Sequence, residues 1–394
     1  MEKKHSMIEI QQARETIRAK LAPRSAVSLP LEDCLGRITA QSLVAAFDAP
    51  GFDQSAMDGY ALASTQRGPH PLLELRATVA SPLGACRVAT GFPVPEWTNC
   101  VIPQENCQFA DGAIMVQEDY PLEKEQHVRR RGGSFSAGTE VLSAGALVAP
   151  GLIALAASCG CAELPVRAPV MALHIATGSE LITPPSEPKG GQVFDSNGPM
   201  IAALLAERRI GCQRLMTGDD AELLCRTLQD FSGDILLISG GSGPGEQDHT
   251  VRSLEKSGFH IHIAGVRSRP GKPLIFATRG DQAAFGLPGN PLSQWVCFHV
   301  FVQTALDRWN GVPLAGLISA HCENWRQPKG DGRPSWTPGT LKYAEGLACV
   351  EPLPWQHSSD LLPLARATAL LFGEPDPATQ QIPTLLTREH PNPL

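Results

Sequence analysis

No apolar stretch in this sequence is long enough to cross a membrane. The longest, such as residues 144–157, are broken by Gly and Pro and fall short of the roughly 20 residues that a helical span needs. The opening MEKKHSMIEIQQ has no apolar segment of the signal-peptide kind, so a cytoplasmic location is expected. Basic charge is not in excess. The net charge is −7, which argues against nonspecific nucleic-acid binding. Tight cysteine pairs are also missing. The 11 cysteines are irregularly spaced, and Cys159-Gly160-Cys161 is the closest pair. Neither a zinc site nor a disulfide framework is expected, and the thiols read as reduced core filler. Aromatics make up only 6% of the chain, whereas Gly (37) and Pro (34) are abundant. That combination suggests many short strands and turns beside a few helices. At 394 residues the chain exceeds one compact core, so two to four domains are expected.

The most informative stretch is DILLISGGSGPGEQDHT, residues 234–250. Ile235 to Ile238 form a short apolar run, read as a buried strand. A glycine-rich turn, a carboxylate pair (Glu246 and Asp248) and a helical segment from His249 to Lys256 follow. Strand, glycine turn, acid and helix together build anion sites at the carboxyl edge of open α/β sheets. A mobile glycine loop with solvated acids is the bland alternative.

Around this stretch, strands at 170–175, 213–216, 260–266, 274–277 and 283–287 alternate with helices at 199–209, 220–228 and 291–308. The alternation predicts a mostly parallel, three-layer α/β domain. Helical spacing runs from Ser6 to Leu21, and a short helix is expected over 152–159. Residues 72–141 show short strands punctuated every 8–12 residues or so, as in small all-β units. The tail from Gly316 to about Pro383 reads as a second small β domain. Five loops at the carboxyl edge of the α/β strands are chemically loaded: Thr177-Gly178-Ser179-Glu180, Asp195-Ser196-Asn197, Ser239 to Asp248 (with Gly240, Gly241 and Gly245), Arg269-Pro270-Gly271-Lys272-Pro273, and Pro288-Gly289-Asn290-Pro291-Leu292-Ser293. Glycine turns, carboxylates and cations on one edge suit a phosphorylated ligand with Mg²⁺. Outside them, residues 50–62 read either as a well-packed turn or as a loop presenting Asp53 and Asp58. The arginines of Val128-Arg129-Arg130-Arg131-Gly132-Gly133 read either as an anion site or as a solvated strand edge.

These segments resemble the MoeA family, molybdopterin molybdenumtransferases related to the E domain of gephyrin. The resemblance is carried by FDQSAMDGYAL (52–62), RVATGFPVPE (87–96), VRRRG (128–132), ATGSEL (176–181), VFDSNGPMI (193–201), SGGSGPGEQDHT (239–250), RPGKPLIFA (269–277) and GLPGNPLS (286–293). It implies a four-part subunit: an elongated region (1–48 plus 140–168), an inserted β domain (49–139), a MogA-like α/β domain that binds molybdopterin (169–314) and a C-terminal β-barrel-like domain (315–394). It implies a homodimer that uses Mg²⁺ to cleave adenylylated molybdopterin, inserts molybdate into the dithiolene and releases AMP. A MogA-type adenylyltransferase and apo-molybdoenzymes are its implied further partners. By the same resemblance Asp248 holds Mg²⁺ with Glu180 or Asp195 nearby, and Asp58 enters from the other subunit. Lys272 and Ser293 donate to molybdate, and Ser358 lies near the oxyanion. Thr177, Gly178, Glu180, Asp195, Ser196, Asn197, Ser239, Gly240, Gly241, Gly245, Arg269, Pro273, Pro288, Gly289 and Asn290, with Ser293 and Ser358, hold the cofactor. Four positions depart from the family pattern: Gly133-Ser134 replace an acidic pair, Arg269 replaces a lysine, Gly243-Pro244 alter the glycine loop, and Pro338 stands where an arginine is usual, with Arg333 close by. The departures keep open a divergent, weakly active or inactive paralogue that binds or hands over molybdopterin.

Overall fold

A computed structural model describes residues 7–73, 83–240, 246–323, 325, 326 and 331–387, and only the backbone of 246–248. The chain divides into two compact units, one spanning Ser28–Val166 and the other joining the residues up to Val27 to those from Arg167 onward.

The second of these is built on a six-stranded sheet in the order Gly211–Met216, Met171–Ala176, Ile235–Ser239, Gln282–Leu287, Ile275–Arg279, His260–Ala264. The first three pairings are parallel and the last two antiparallel. Ile235–Ser239 is buried along its whole length, as a central strand covered on both faces must be. Alternation divides its side chains. Ile235 and Leu237 join the core beneath helices Asn197–Ala206 and Pro291–Cys297, while Leu236 and Ile238 join Leu224, Leu228 and Leu254 beneath helices Ala221–Asp230 and Glu246–Lys256. The expected three layers follow from this period-two split. Asp220 caps helix Ala221–Asp230, accepting from the backbone N–H groups of Glu222 and Leu223 at 2.9 Å each.

The N-terminal helix, Ile10–Lys20, buries Ile10, Ala13 and Ile17 in the same core as the sheet. Its Arg14 crosses to the Ala315 carbonyl at 2.7 Å. The helix read as a single rod from 291 to 308 extends to Asn310 and contains a π-helical turn at Phe298–Val302 between two α-helical segments. Gly311 ends it in the left-handed region at φ 71°. The tail forms a closed five-stranded barrel, Ile318–His321, Leu347–Pro352, Trp336–Ala344, Ala369–Phe372 and Gln381–Leu386. Trp336, Leu370 and Leu385 of the barrel share the core of the α/β sheet. The α/β domain, the β-rich inserted region and the barrel reproduce the architecture expected from the sequence.

Unit 28–166 is made of short strands. Gly59–Leu62 pairs with Ala85–Val88 on one side and Cys100–Pro103 on the other. Ala61 packs with Cys86, Val88 and Val101, and Leu62 with Cys100, Ile102 and Ile114. A second three-stranded sheet joins His70–Pro71, Ala113–Val116 and Cys107–Ala110. The strand expected across 72–80 lies mostly outside the described residues. All 11 cysteines are free thiols. Burial pushes those of Cys86 and Cys100 up to about 11, so they are inert packing groups. Among the described residues no helix is long and apolar enough to cross a membrane.

Candidate functional site

Strand direction gathers the loaded loops. Met171–Ala176, Ile235–Ser239 and Gln282–Leu287 are parallel and in register, so residues 177, 240 and 288 emerge at one edge. Ala264 pairs with Ile275, and Ile275 with Gly286, so the Arg269–Pro273 loop turns at that edge too. The segments are then tied together. Ser239 accepts hydrogen bonds at its carbonyl from Thr177 N (2.8 Å) and Thr177 Oγ1 (3.1 Å). Asn197 Nδ2 donates to the Gly289 carbonyl at 2.6 Å. Asn290 Nδ2 donates to Ser358 Oγ at 2.8 Å, and Leu292 N to the Ser358 carbonyl at 3.0 Å.

Gly240 sits at φ 97°, and a Cβ there would lie 2.3 Å from the Thr177 carbonyl oxygen. Only glycine fits. Gly178, at φ 136°, leaves room for the Glu180 carboxylate, whose oxygens lie within 2.8 Å of where a Cβ would stand. Ser179 N donates to Asp219 Oδ2 at 3.1 Å, and its hydroxyl donates to the same oxygen. Asp195 is buried and accepts from Gly198 N at 2.8 Å, holding the start of helix Asn197–Ala206. Ser196 is half-buried beside it. Asn197 Oδ1 is buried with no hydrogen-bond partner within the protein.

The Arg269–Pro273 loop is fastened to the barrel. Arg269 N donates to the Pro334 carbonyl (2.9 Å) and Trp336 N to the Arg269 carbonyl (2.7 Å). The Arg269 guanidinium stands over the Trp355 ring. Lys272 is exposed, Pro273 half-buried, and Pro288 and Ser293 are buried. Gly241, Gly245 and the Asp248 side chain lie outside the described residues; the Asp248 backbone belongs to helix Glu246–Lys256.

Beneath the glycine turn lies a polar group that the sequence reading did not single out. His174 Nε2 hydrogen-bonds Ser239 Oγ, and Gln294 Nε2 donates to the same hydroxyl. Burial pushes the His174 imidazole down to about 4, outweighing the attraction of Asp195. It is neutral at physiological pH. Its one sequence signal is a histidine inside an apolar strand.

Unit 28–166 carries its own acids. Asp58 is exposed, and its Oδ1 accepts from Thr90 N (2.7 Å) and Thr90 Oγ1 (2.9 Å). These two donors, the backbone N–H first, hold its carboxyl below the ordinary range. A carbon-detected titration is expected to place Asp58 below the usual aspartate value of about 3.9, and Thr90→Ala to move it upward. A titration at or above that value, unmoved by the substitution, would contradict the arrangement. Asp53 is spent internally. It accepts from Arg131 N at 2.7 Å and pairs with Arg130, which also reaches Glu125 at 3.0 Å. Arg131 Nε reaches Asp48 at 2.6 Å. Arg130 and Arg131 therefore serve carboxylates of their own unit, which favours the strand-edge reading of the basic cluster over the anion site.

The sequence matches two family descriptions, "MoeA N-terminal region (domain I and II)" over residues 8–160 and "Probable molybdopterin binding domain" over residues 174–308. A protein of Mycobacterium tuberculosis named molybdopterin molybdenumtransferase 2 is 30% identical over 329 residues, 78% of this chain and 81% of that relative. A molybdopterin molybdenumtransferase of Synechococcus elongatus is 31% identical over 345 residues, 81% and 84% of the two chains. The chain belongs to the molybdopterin molybdenumtransferase family. Two crystal structures of a molybdopterin biosynthesis MoeA protein from Pyrococcus horikoshii share the fold of this family member. They are 23% and 24% identical, with TM-scores of 0.80 and 0.76, and cover 98% and 97% of this chain and 100% of theirs.

Of the positions at which this molybdopterin molybdenumtransferase relative departs from the family pattern, Gly133, Arg269 and Pro338 have physical correlates, and Gly243-Pro244 lie outside the described residues. Gly133 closes a tight turn on the Arg130 carbonyl, and a Cβ there would meet that oxygen at 2.9 Å. The turn has no room for an acidic side chain. Pro338 lies inside barrel strand Trp336–Ala344 and its carbonyl accepts from Leu353 N at 2.8 Å. Arg333 is committed elsewhere, to Asp331 at 2.7 Å and to the Ser268 carbonyl at 2.8 Å.

Proposed function

We propose that this chain is a molybdenum insertase: a cytoplasmic homodimer that cleaves adenylylated molybdopterin with Mg²⁺, fixes molybdate on the dithiolene and releases AMP. One observation carries the reading. Cross-bonds among 177–180, 195–197, 239–240, 288–293 and Ser358 gather loops far apart in sequence onto one sheet edge. In this reading the Thr177–Gly178 turn and the Gly240 turn form the cradle for the phosphates. Asp195, Ser196 and Asn197 hold the pterin end, and Pro288, Gly289 and Asn290 form the wall beside it. Lys272, Ser293 and Ser358 supply donors to molybdate, a tetrahedral dianion suited to fixed cations and hydroxyls. Arg269 and Pro273 set the loop that carries Lys272. Asp58 serves the site of the other subunit, where it stays ionised.

For Mg²⁺ the chemistry of the donors fits. Among the described residues no group of three or more His, Cys, Asp or Glu is placed to hold a metal. Mg²⁺, however, characteristically takes only one or two carboxylates and completes its shell with water and phosphate oxygens. In this reading Glu180, exposed across Gly178, is one carboxylate and Asp248, whose backbone lies in the first turn of helix Glu246–Lys256, would be the other. When bound, Mg²⁺ neutralises the charge that develops on the phosphates.

The experiment supplies purified protein with adenylylated molybdopterin, Mg²⁺ and molybdate and follows AMP. Release of AMP with formation of active cofactor is expected, and its absence would sink the reading. Asp248→Asn is expected to lower turnover at least tenfold or so, as loss of one metal carboxylate does; full activity would remove Asp248 from the mechanism. A second reading, that the chain holds molybdopterin for transfer without inserting the metal, is favoured by Pro338 and by the commitment of Arg333 to Asp331. Tight binding without AMP release would establish it. A MogA-type adenylyltransferase as supplier and apo-molybdoenzymes as recipients belong to both readings.

A further inference from the structure

The Ser239 hydroxyl is the meeting point of three elements of the site. Gln294, on helix Pro291–Cys297, donates to it, and His174, on strand Met171–Ala176, bonds it from the other side. Hydrogen-bond arithmetic orders the group. A serine hydroxyl has one proton to give. It accepts from Gln294, and its other bond is to Nε2 of His174, with the donor set by the tautomer of that ring. Gln294, His174 and Ser239 are 0%, 1% and 2% exposed, so water cannot replace a lost partner. On its backbone side Ser239 holds both donors of Thr177, and its successor Gly240 packs against the Thr177 carbonyl.

We infer that His174 and Gln294 are positioning residues for the phosphate end of the ligand, locking the Ser239 hydroxyl so that its carbonyl and Gly240 fix the Thr177 turn. The inference rests on the proposed function for the identity of the ligand. Neither residue reaches the mouth of the site, and each acts through Ser239. Removal of one partner leaves the others buried and unpaired, and the Ser239 backbone is then free to shift. A buried polar group left unmatched is costly, and losses near tenfold in binding are expected.

The test uses the full chain and adenylylated molybdopterin as the probe, and measures Kd, the turnover of AMP release and the thermal midpoint. His174→Leu and Ser239→Ala are each expected to weaken binding about tenfold, and the double variant no more than either alone, because one interaction is removed twice. His174→Gln, which restores a polar partner, is expected to bind within about twofold of the wild type. A His174→Leu variant with a lowered thermal midpoint but wild-type Kd would show a merely structural role and overturn the inference. So would losses that multiply in the double variant. If His174→Leu does not fold, Gln294→Leu with Ser239→Ala closes the same cycle. Wild-type protein that binds the probe without releasing AMP sinks the insertase reading alone, while the Kd comparison still decides this one. Wild-type protein that does not bind it overturns both.

Discussion

Gly240→Ala is expected to lower AMP release by more than about a hundredfold, equivalent to about 2.7 kcal/mol in the barrier, with the fold retained. Two effects add. The alanine would occupy φ 97°, a region that costs an L-residue roughly 1–2 kcal/mol. Its Cβ would also lie 2.3 Å from the Thr177 carbonyl oxygen and 2.6 Å from Thr177 Oγ1. Thr177 cannot yield without releasing its two hydrogen bonds to Ser239. The edge on which the phosphates are proposed to rest would open. Far-UV circular dichroism is expected to be unchanged while kcat/KM collapses. A Gly240→Ala protein with wild-type kinetics would remove this turn from the mechanism.

Gly59→Ala is expected to destabilise unit 28–166 by about 4 kcal/mol or more, at the severe end for a single substitution. The added Cβ would stand 2.0 Å from the Ile102 carbonyl oxygen and 2.9 Å from its carbon. Both are backbone atoms of a paired strand. Gly59 belongs to the central strand of its sheet, opposite Val88 and Pro103, so relief would require breaking a ladder. Hydrogen exchange should show lost protection at 85–88 and 100–103. Protection equal to wild type would show that the sheet relaxes at no cost.

Much of this architecture was legible because local signals agreed with one another. The apolar run Ile235–Ile238 and the helices expected over 220–228 and from 291 each describe their own neighbourhood, and each stands where expected. Placement of the five loops on one edge followed from strand alternation. What escaped depends on partners distant in sequence. Arg14 meets Thr304 across 290 positions, so nothing near residue 14 could reveal that helix Ile10–Lys20 completes the α/β core. Arg130 and Arg131 could not be told apart as anion ligands or strand-edge residues because Asp48 and Asp53 lie about 80 positions earlier. His174 was absorbed into an apolar strand, since its relation to Gln294 exists only in three dimensions. Asp219 stands next to the Asp220 cap in sequence, yet it holds Ser179, forty positions earlier.

The π-helical turn at Phe298–Val302 makes the last long helix a phase shifter. Successive α-helical residues advance by about 100°, and one extra residue in a turn rotates all that follows by that amount. One continuous rod can thereby aim Gln294 at Ser239 in one segment, and in the segment after the π-helical turn Gln303 toward Arg208 and Thr304 toward Arg14. Deleting a single residue between 298 and 302 would set both halves in the same phase. Either Gln294 or Thr304 would then face the wrong neighbour. The rod thus links the start of the chain to the floor of the proposed site by angle alone.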